Sequence, residues 1–173
     1  MAQIFINYRR RSDAYAAALL DELLSQSLGV DNVFRAGRSI PAGDNYIVAI
    51  REAIQSCSIM LVIVGKDWGE EFSRGDNQED WVRREIEEGL AARKPIIPIL
   101  LSGVPRITPE QLPRSIEAVA ELQYLRFDYR NTRQDSRYIA EQIIRRTPDL
   151  TRRQLGLSRQ VRRLWDRSRL NGS

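Results

Sequence analysis

Ile59-Met60-Leu61-Val62-Ile63-Val64 is a run of six apolar side chains, flanked by Ser58 and Gly65. A strand with one wet face alternates apolar and polar residues, so an unbroken run of this length reads as a strand buried on both faces, as in the middle of a parallel sheet. Pro95–Leu101 (PIIPILL) repeats the pattern. Between the two lie a polar stretch, 65–79, and a helical stretch, 80–92, with Asp76 and Asp80 as candidate caps at its start.

Working outward, residues 3–8 (QIFINY) form a short apolar strand. A helix follows from Asp13, capped by Ser12 or Asp13, with Tyr15, Ala18, Leu19, Leu23 and Leu24 on one face and Gly29 as its stop. Residues 32–35 read as a second strand, and 36–44, with two Gly and a Pro, as a loop. A helix then runs from 44 to 56. Past the fourth strand come a loop (102–113), a short helix (114–120), a fifth strand (122–127) and a last helix (134–146). Strands that alternate with helices, the central ones continuously apolar, predict an α/β domain: a flavodoxin-like, doubly wound, five-stranded parallel sheet in the order 2-1-3-4-5. Such sheets bind ligands beyond the carboxyl ends of their strands, near the point where strand order reverses. That directs attention to 8–11, 36–44, 65–79 and the start of the helix at 80.

Composition narrows the chemistry. An apolar fraction of 42% with 29% charged residues fits a soluble globular chain, and no apolar run approaches the roughly 18 residues of a membrane span. Residues 1–8 lack the features of a secretory signal, so a cytoplasmic location is expected and membrane binding by the body is not. There is no histidine, which removes Ser-His-Asp and Cys-His catalysis and the usual nitrogen ligand of metals. The single Cys57 can form neither an internal disulfide nor a CxxC site, and reads as a buried, inert thiol. No metal site is expected.

The net charge of +4 is unevenly spread: 147–173 holds seven Arg against Asp149 and Asp166, and residues 1–146 carry −1. The chain therefore divides at Thr147-Pro148 into a nearly neutral domain, 1–146, and an Arg-rich tail, 147–173. Nothing in the charge of the domain points to nucleic acid. In the tail, Leu157, Val161, Leu164 and Trp165 recur at helical spacing among arginines, the pattern of a basic amphipathic helix or linker.

Several motifs occur in order and at suitable spacing to resemble bacterial Toll/interleukin receptor (TIR) domains. Ile4-Phe5-Ile6-Asn7-Tyr8-Arg9-Arg10 is similar to that family's first-strand signature, with Asn7 in place of Ser. Val33-Phe34 followed by Ile40-Pro41-Ala42-Gly43-Asp44 resembles its second strand and BB loop. Ala53-Ile54, Ser56, the strand at 59–64, Gly65 and Trp68 resemble the third-strand region. Trp81-Val82-Arg83-Arg84-Glu85-Ile86 resembles the W-x-x-x-E-[IL] helix of members that consume NAD. Lys94–Ile99 and Leu112-Pro113 match later elements. One departure is plain: Ala36-Gly37-Arg38 stands where many relatives carry acidic residues.

The resemblance implies cleavage of the nicotinamide–ribose bond of NAD, giving nicotinamide and ADP-ribose or a cyclic isomer, in bacterial stress or antiphage signalling. NAD would be a substrate, with no resident cofactor. Glu85 is the candidate catalytic residue. Nicotinamide leaves as a neutral ring and needs no acid, whereas the oxocarbenium-like ribose needs an anion beside it. Trp81, four residues before Glu85 and on the same helical face, and Tyr8 are candidates to stack on the ring. Arg9 and Arg10 are candidates for the pyrophosphate. No GxGxxG or Walker loop is present, which argues against a redox use of NAD. Gly43 is counted with Tyr8, Arg9, Arg10 and Trp81 as a candidate substrate-binding residue; it shapes the 36–44 loop, through which the resemblance implies self-association with other TIR domains. Two plainer readings stand beside these. Glu85 lies in a charge run, 83–88, of the kind that usually marks a solvated helix face, and the domain can instead be a non-catalytic module that binds other TIR domains. Trp68 reads as a packing residue.

Overall fold

The computed structural model describes residues 1–74 and 80–150. Its elements, in order, are β1 (Ile4–Asn7), α1 (Ala14–Leu28), a 3-10 turn (Val30–Asn32), β2 (Val33–Phe34), α2 (Ala36–Ser39), α3 (Tyr46–Ser56), β3 (Ile59–Val64), α4 (Trp68–Glu71), α5 (Trp81–Ala91), β4 (Ile96–Leu101), 3-10 segments at Pro109–Gln111 and Arg114–Glu121, β5 (Leu125–Phe127) and α6 (Thr132–Arg146). The five strands are all parallel, in the order β2-β1-β3-β4-β5. This is the flavodoxin-like arrangement that five strands alternating with helices predict.

All six residues of β3 are buried. Met60, Val62 and Val64 point to one face, where Ile50, Ile54, Ile86, Ile116 and Val119 cover them; Ile59, Leu61 and Ile63 point to the other, under Leu20, Leu24, Ile139 and Ile143. The period-2 geometry of a strand thus feeds two cores, which is why no polar residue interrupts the run. Pro98 stands within β4 opposite Val62, but β5 pairs with β4 only from Ile99 onward. The proline therefore lies where β4 is paired on one side only, as its missing N–H favours. On α5, Gly89 brings the helix close to the sheet: a Cβ there would lie 2.8 Å from the Met60 methyl carbon.

Several expectations are corrected. The buried stripe of α1 is Ala17, Leu20, Asp21, Leu24 and Leu28, while Tyr15 is 94% and Leu19 43% exposed. The run Ala16–Leu20 is apolar around most of a turn, so spacing alone does not choose the face that meets the sheet. Asp13 begins α1 without a side-chain cap bond. Residues 36–39, read as loop, form a single helical turn. Helix α3 starts two residues late, at Tyr46, because Asn45 is the cap: its side-chain oxygen accepts from the N–H groups of Ile47 and Val48, both at 3.1 Å. The segment at 114–121 is 3-10 rather than α, and β5 is shorter than its apolar stretch. Trp68 is buried and packs edge-on against Phe72, as a packing residue should. Cys57 is buried, and burial pushes its thiol pKa up, which suits an inert thiol. Thr147 and Leu150 are buried, Leu150 against the α1/α6 core. Asp76 and the amphipathic pattern at 157–165 lie outside the described residues. No helix among the described residues is long and apolar enough to cross a membrane.

The corrected face of α1 has a direct test in denaturant unfolding. Leu20→Ala should cost about 2–5 kcal/mol, as for a buried Leu, and Leu19→Ala within about 1 kcal/mol. Equal costs, or the larger one at Leu19, would mean that α1 packs through its other face.

Candidate active site

Beyond the carboxyl end of β1, where the sheet order reverses, lies a cleft of about 860 Å³. Its walls come from the end of β1 (Tyr8, Arg9, Arg10, Arg11), from Ala36 of α2 and Tyr46 of α3, from Glu71, Phe72 and Arg74 around the end of α4, and from residues 80–85 and Glu87 of α5. Tyr8, Arg9, Arg10, Trp81 and Glu85, separated by more than 70 positions in sequence, therefore share one cavity. Gly43 does not line it. It sits on the exposed stretch 41–48 with φ of 94°, and a Cβ built there meets nothing within 4 Å.

Helix α5 delivers Glu85. Asp80 caps it, accepting from the N–H groups of Val82 at 3.1 Å and Arg83 at 3.3 Å. From that start Val82, Glu85, Ile86 and Gly89 face the sheet, while Arg83 turns outward and pairs with Glu87. Glu85 thus belongs to the inner face of a helix whose sequence is mostly charged. It is 8% exposed. Its Oε2 accepts a 2.7 Å hydrogen bond from Asn7 Nδ2, which also donates to the Val82 carbonyl at 3.2 Å. Burial pushes the Glu85 pKa up to about 8; the Asn7 bond opposes the shift, and Glu88 and Asp80 add to it. Because desolvation outweighs the Asn7 bond, this carboxyl keeps its proton at neutral pH.

The walls are less free than sequence suggests. Arg9 is paired with Asp80 at 3.2 Å and stacks over the Phe72 ring, 4.8 Å from its centroid. It braces the start of α5 rather than pointing freely into the cleft. Arg10 and Arg11 are exposed at the mouth, with no ion pair to another described residue. Trp81 carries the Arg84 guanidinium over its ring at 5.0 Å and meets Tyr46 edge-on at 6.2 Å. A flat cation would have to use its other face or displace Arg84. Asn7 as a partner of Glu85, and Tyr46, Phe72 and Arg84 as parts of the site, are not evident in the sequence. For Asn7 a signal existed: a polar residue closing an apolar strand needs a partner when buried. Among the described residues no cluster of acidic or thiol side chains could hold a metal ion.

Residues 4–143 match the family model described as TIR domain. Comparison with the sequences of curated proteins gives no match. Among solved structures, the TIR domains of the activated Roq1 resistosome, which directly recognises the pathogen effector XopQ, align with a TM-score of 0.57 at 14% identity over 84% of this chain and 98% of theirs. A metazoan TIR-STING receptor from C. gigas, solved with 2',3'-cGAMP, gives 0.56 at 17% identity over 81% of this chain and 40% of its own. The TIR domain of the Toll-related receptor TRR-2 from Hydra magnipapillata gives 0.55 at 18% identity over 87% and 99%. At these identities the structural likeness speaks for the fold alone, and the family follows from the sequence model, which spans most of the chain: this protein belongs to the TIR domain family.

Proposed function

We propose that the chain cleaves the nicotinamide–ribose bond of NAD, with Glu85 as the catalytic carboxylate. The observation that carries this reading is a single buried carboxyl, held by Asn7, at the wall of a large cleft lined with aromatic rings and guanidinium groups. When the C1'–N bond breaks, its electron pair goes to the pyridinium nitrogen and neutral nicotinamide leaves. The ribose is left as an oxocarbenium-like cation, which water captures with loss of a proton to give ADP-ribose; capture by a ring nitrogen of the adenine gives a cyclic isomer. A carboxylate in a poorly hydrated site stabilises that cation far more than one in water. The proton on Glu85 does not obstruct the reaction, because NAD brings its own cation: a pyridinium beside Glu85 lowers its pKa, and binding expels the proton.

The remaining groups serve binding. Tyr8 and Trp81 offer rings to the nicotinamide, and Arg10 and Arg11 at the mouth suit the pyrophosphate. Arg9 supports the site through Asp80. A role in stress signalling or defence against infection fits the resistosome to which the TIR domains of one structural neighbour belong. A second reading, association between TIR domains, is favoured by the exposed stretch 41–48, which ends in the solvent-facing apolar residues Tyr46, Ile47 and Val48. The two are compatible, since an assembled neighbour would lie beside the cleft that Tyr46 lines.

At high protein concentration or with a crowding agent, wild type should release nicotinamide from NAD. Glu85→Ala and Glu85→Gln should lose at least about 100-fold of that rate. Wild-type release that survives both substitutions would sink the assignment, and no release under any assembling condition would leave only the association role. The pH profile carries the second test. Because the anion is the active form, kcat/KM should rise about tenfold per pH unit up to a limb near 8 in the free protein, while the limb in kcat should lie lower, the bound cation having favoured ionisation.

Stability gives a third test, independent of activity. Between pH 4.5 and about 8 the folded state holds a proton at Glu85 that the unfolded chain has lost, so stability falls as pH rises through that window. The loss is on the order of 5 kcal/mol once both states are ionised. Glu85→Gln should therefore unfold at a higher temperature than wild type at pH 8, with a gap that narrows towards pH 5. A variant less stable than wild type at pH 8 would contradict the buried, protonated carboxyl.

A further inference from the structure

Another buried carboxylate, besides Glu85 and Asp13, lies away from the cleft. Asp21 stands within the buried stripe of α1, only 2% exposed. Its oxygens accept from Arg35 Nε at 2.8 Å, from Arg38 Nε at 2.7 Å and Nη2 at 2.8 Å, and from Ser25 Oγ at 3.0 Å. Arg38 also donates to the Val33 carbonyl at 2.6 Å. Burial alone would raise the pKa of Asp21, but the hydrogen bonds from Arg38 and Arg35 outweigh it and hold the carboxyl below its usual range. Arg35 caps α2 and Arg38 lies within it, and the ends of α2 are further joined by the Arg35 N–H donating to Ser39 Oγ at 3.0 Å. This one-turn helix is thus tied to α1 through Arg35 and Arg38.

The same turn meets the cleft. A Cβ on Gly37 would lie 3.1 Å from the Tyr8 hydroxyl oxygen and 3.3 Å from Arg35 Nη1, so the phenol and the guanidinium converge over a residue without a side chain. Tyr8 and Ala36 both line the cleft. We infer that Asp21 is a positioning residue for this site: by clamping Arg35 and Arg38 it fixes α2 at the foot of the exposed 41–48 stretch, and through Arg35 it holds the Tyr8 ring at the cleft wall. A buried ion pair contributes little net stability against an apolar alternative; the part assigned to this one is to select a single arrangement of the groups that it joins. The kinetic half of the test rests on NAD cleavage as proposed above; the structural half does not.

The variants are Asp21→Asn, which removes the charge, and Arg38→Gln, which leaves the Asp21–Arg35 pair and spares the fold should the first variant not assemble. Amide hydrogen exchange without NAD should be about tenfold faster in 36–45 in each folded variant, with β3 and β4 unchanged. Unchanged exchange in 36–45, or a uniform rise that includes β3 and β4, would overturn the clamp. In nicotinamide release, each folded variant should lose about tenfold in kcat/KM. The loss should fall on KM, because Glu85 and Asn7 are untouched. A fall in kcat alone, in proportion to unfolded protein, would mean a merely structural role and overturn the positioning. Should wild type release no nicotinamide, the proposed reaction fails and the exchange measurement decides the role of Asp21 by itself.

Discussion

Because β1, β3 and β4 are buried on both faces, a polar side chain at their carboxyl ends has to find a partner inside the protein. Asn7 closes β1 under that constraint, fully buried, and its amide reaches across to α5, giving one bond to the Val82 carbonyl and one to Glu85. That pair of contacts ties the strand at which the sheet order reverses to the helix that crosses above it. It also leaves a carboxyl at the wall of a cleft, in surroundings too dry to favour its charge. The remaining parts of the site follow from where this contact places α5.

Around it the cations are organised in two ways. Arg9 and Arg84 are held by ring faces and, for Arg9, by the carboxylate that caps α5. They shape the wall. Arg10 and Arg11, exposed at the mouth, are the ones available to an anionic ligand. This division separates the buried position where positive charge would be stabilised from the rim where phosphate would be held. A dinucleotide whose cationic ring goes in first fits that polarity. Ionising the desolvated Glu85 costs the fold stability.

Much of this was legible in sequence. The unbroken apolar runs at 59–64 and 95–101 pointed to a parallel sheet, five strands alternating with helices suggested its order, and the spacing of Trp81 and Glu85 placed both on α5. What sequence could not supply was which way a helix turns. Ala16–Leu20 is apolar over most of a turn, so the burial of Leu20 rather than Leu19 is decided by packing against Ile4, Ile6 and Leu61. The charge run at 83–88 looks solvated until Val82, Ile86 and Gly89 fix the inner face, and Glu85 falls between them. Pairwise partners were the least legible. Asn7 with Glu85, Arg9 with Asp80 and Asp21 with two arginines join residues 14 to 78 positions apart, and only the tertiary fold brings them together.

The ionisation of Glu85 is the point on which the account turns, and carbon-13 NMR of its side-chain carboxyl reads it directly. The protein alone should titrate near 8. Adding an NAD analogue whose ribose ring oxygen is replaced by methylene, which keeps the pyridinium cation but resists cleavage, should lower that value. A Glu85 titration near the ordinary 4.5, or one near 8 that the bound analogue leaves unmoved, would contradict the account.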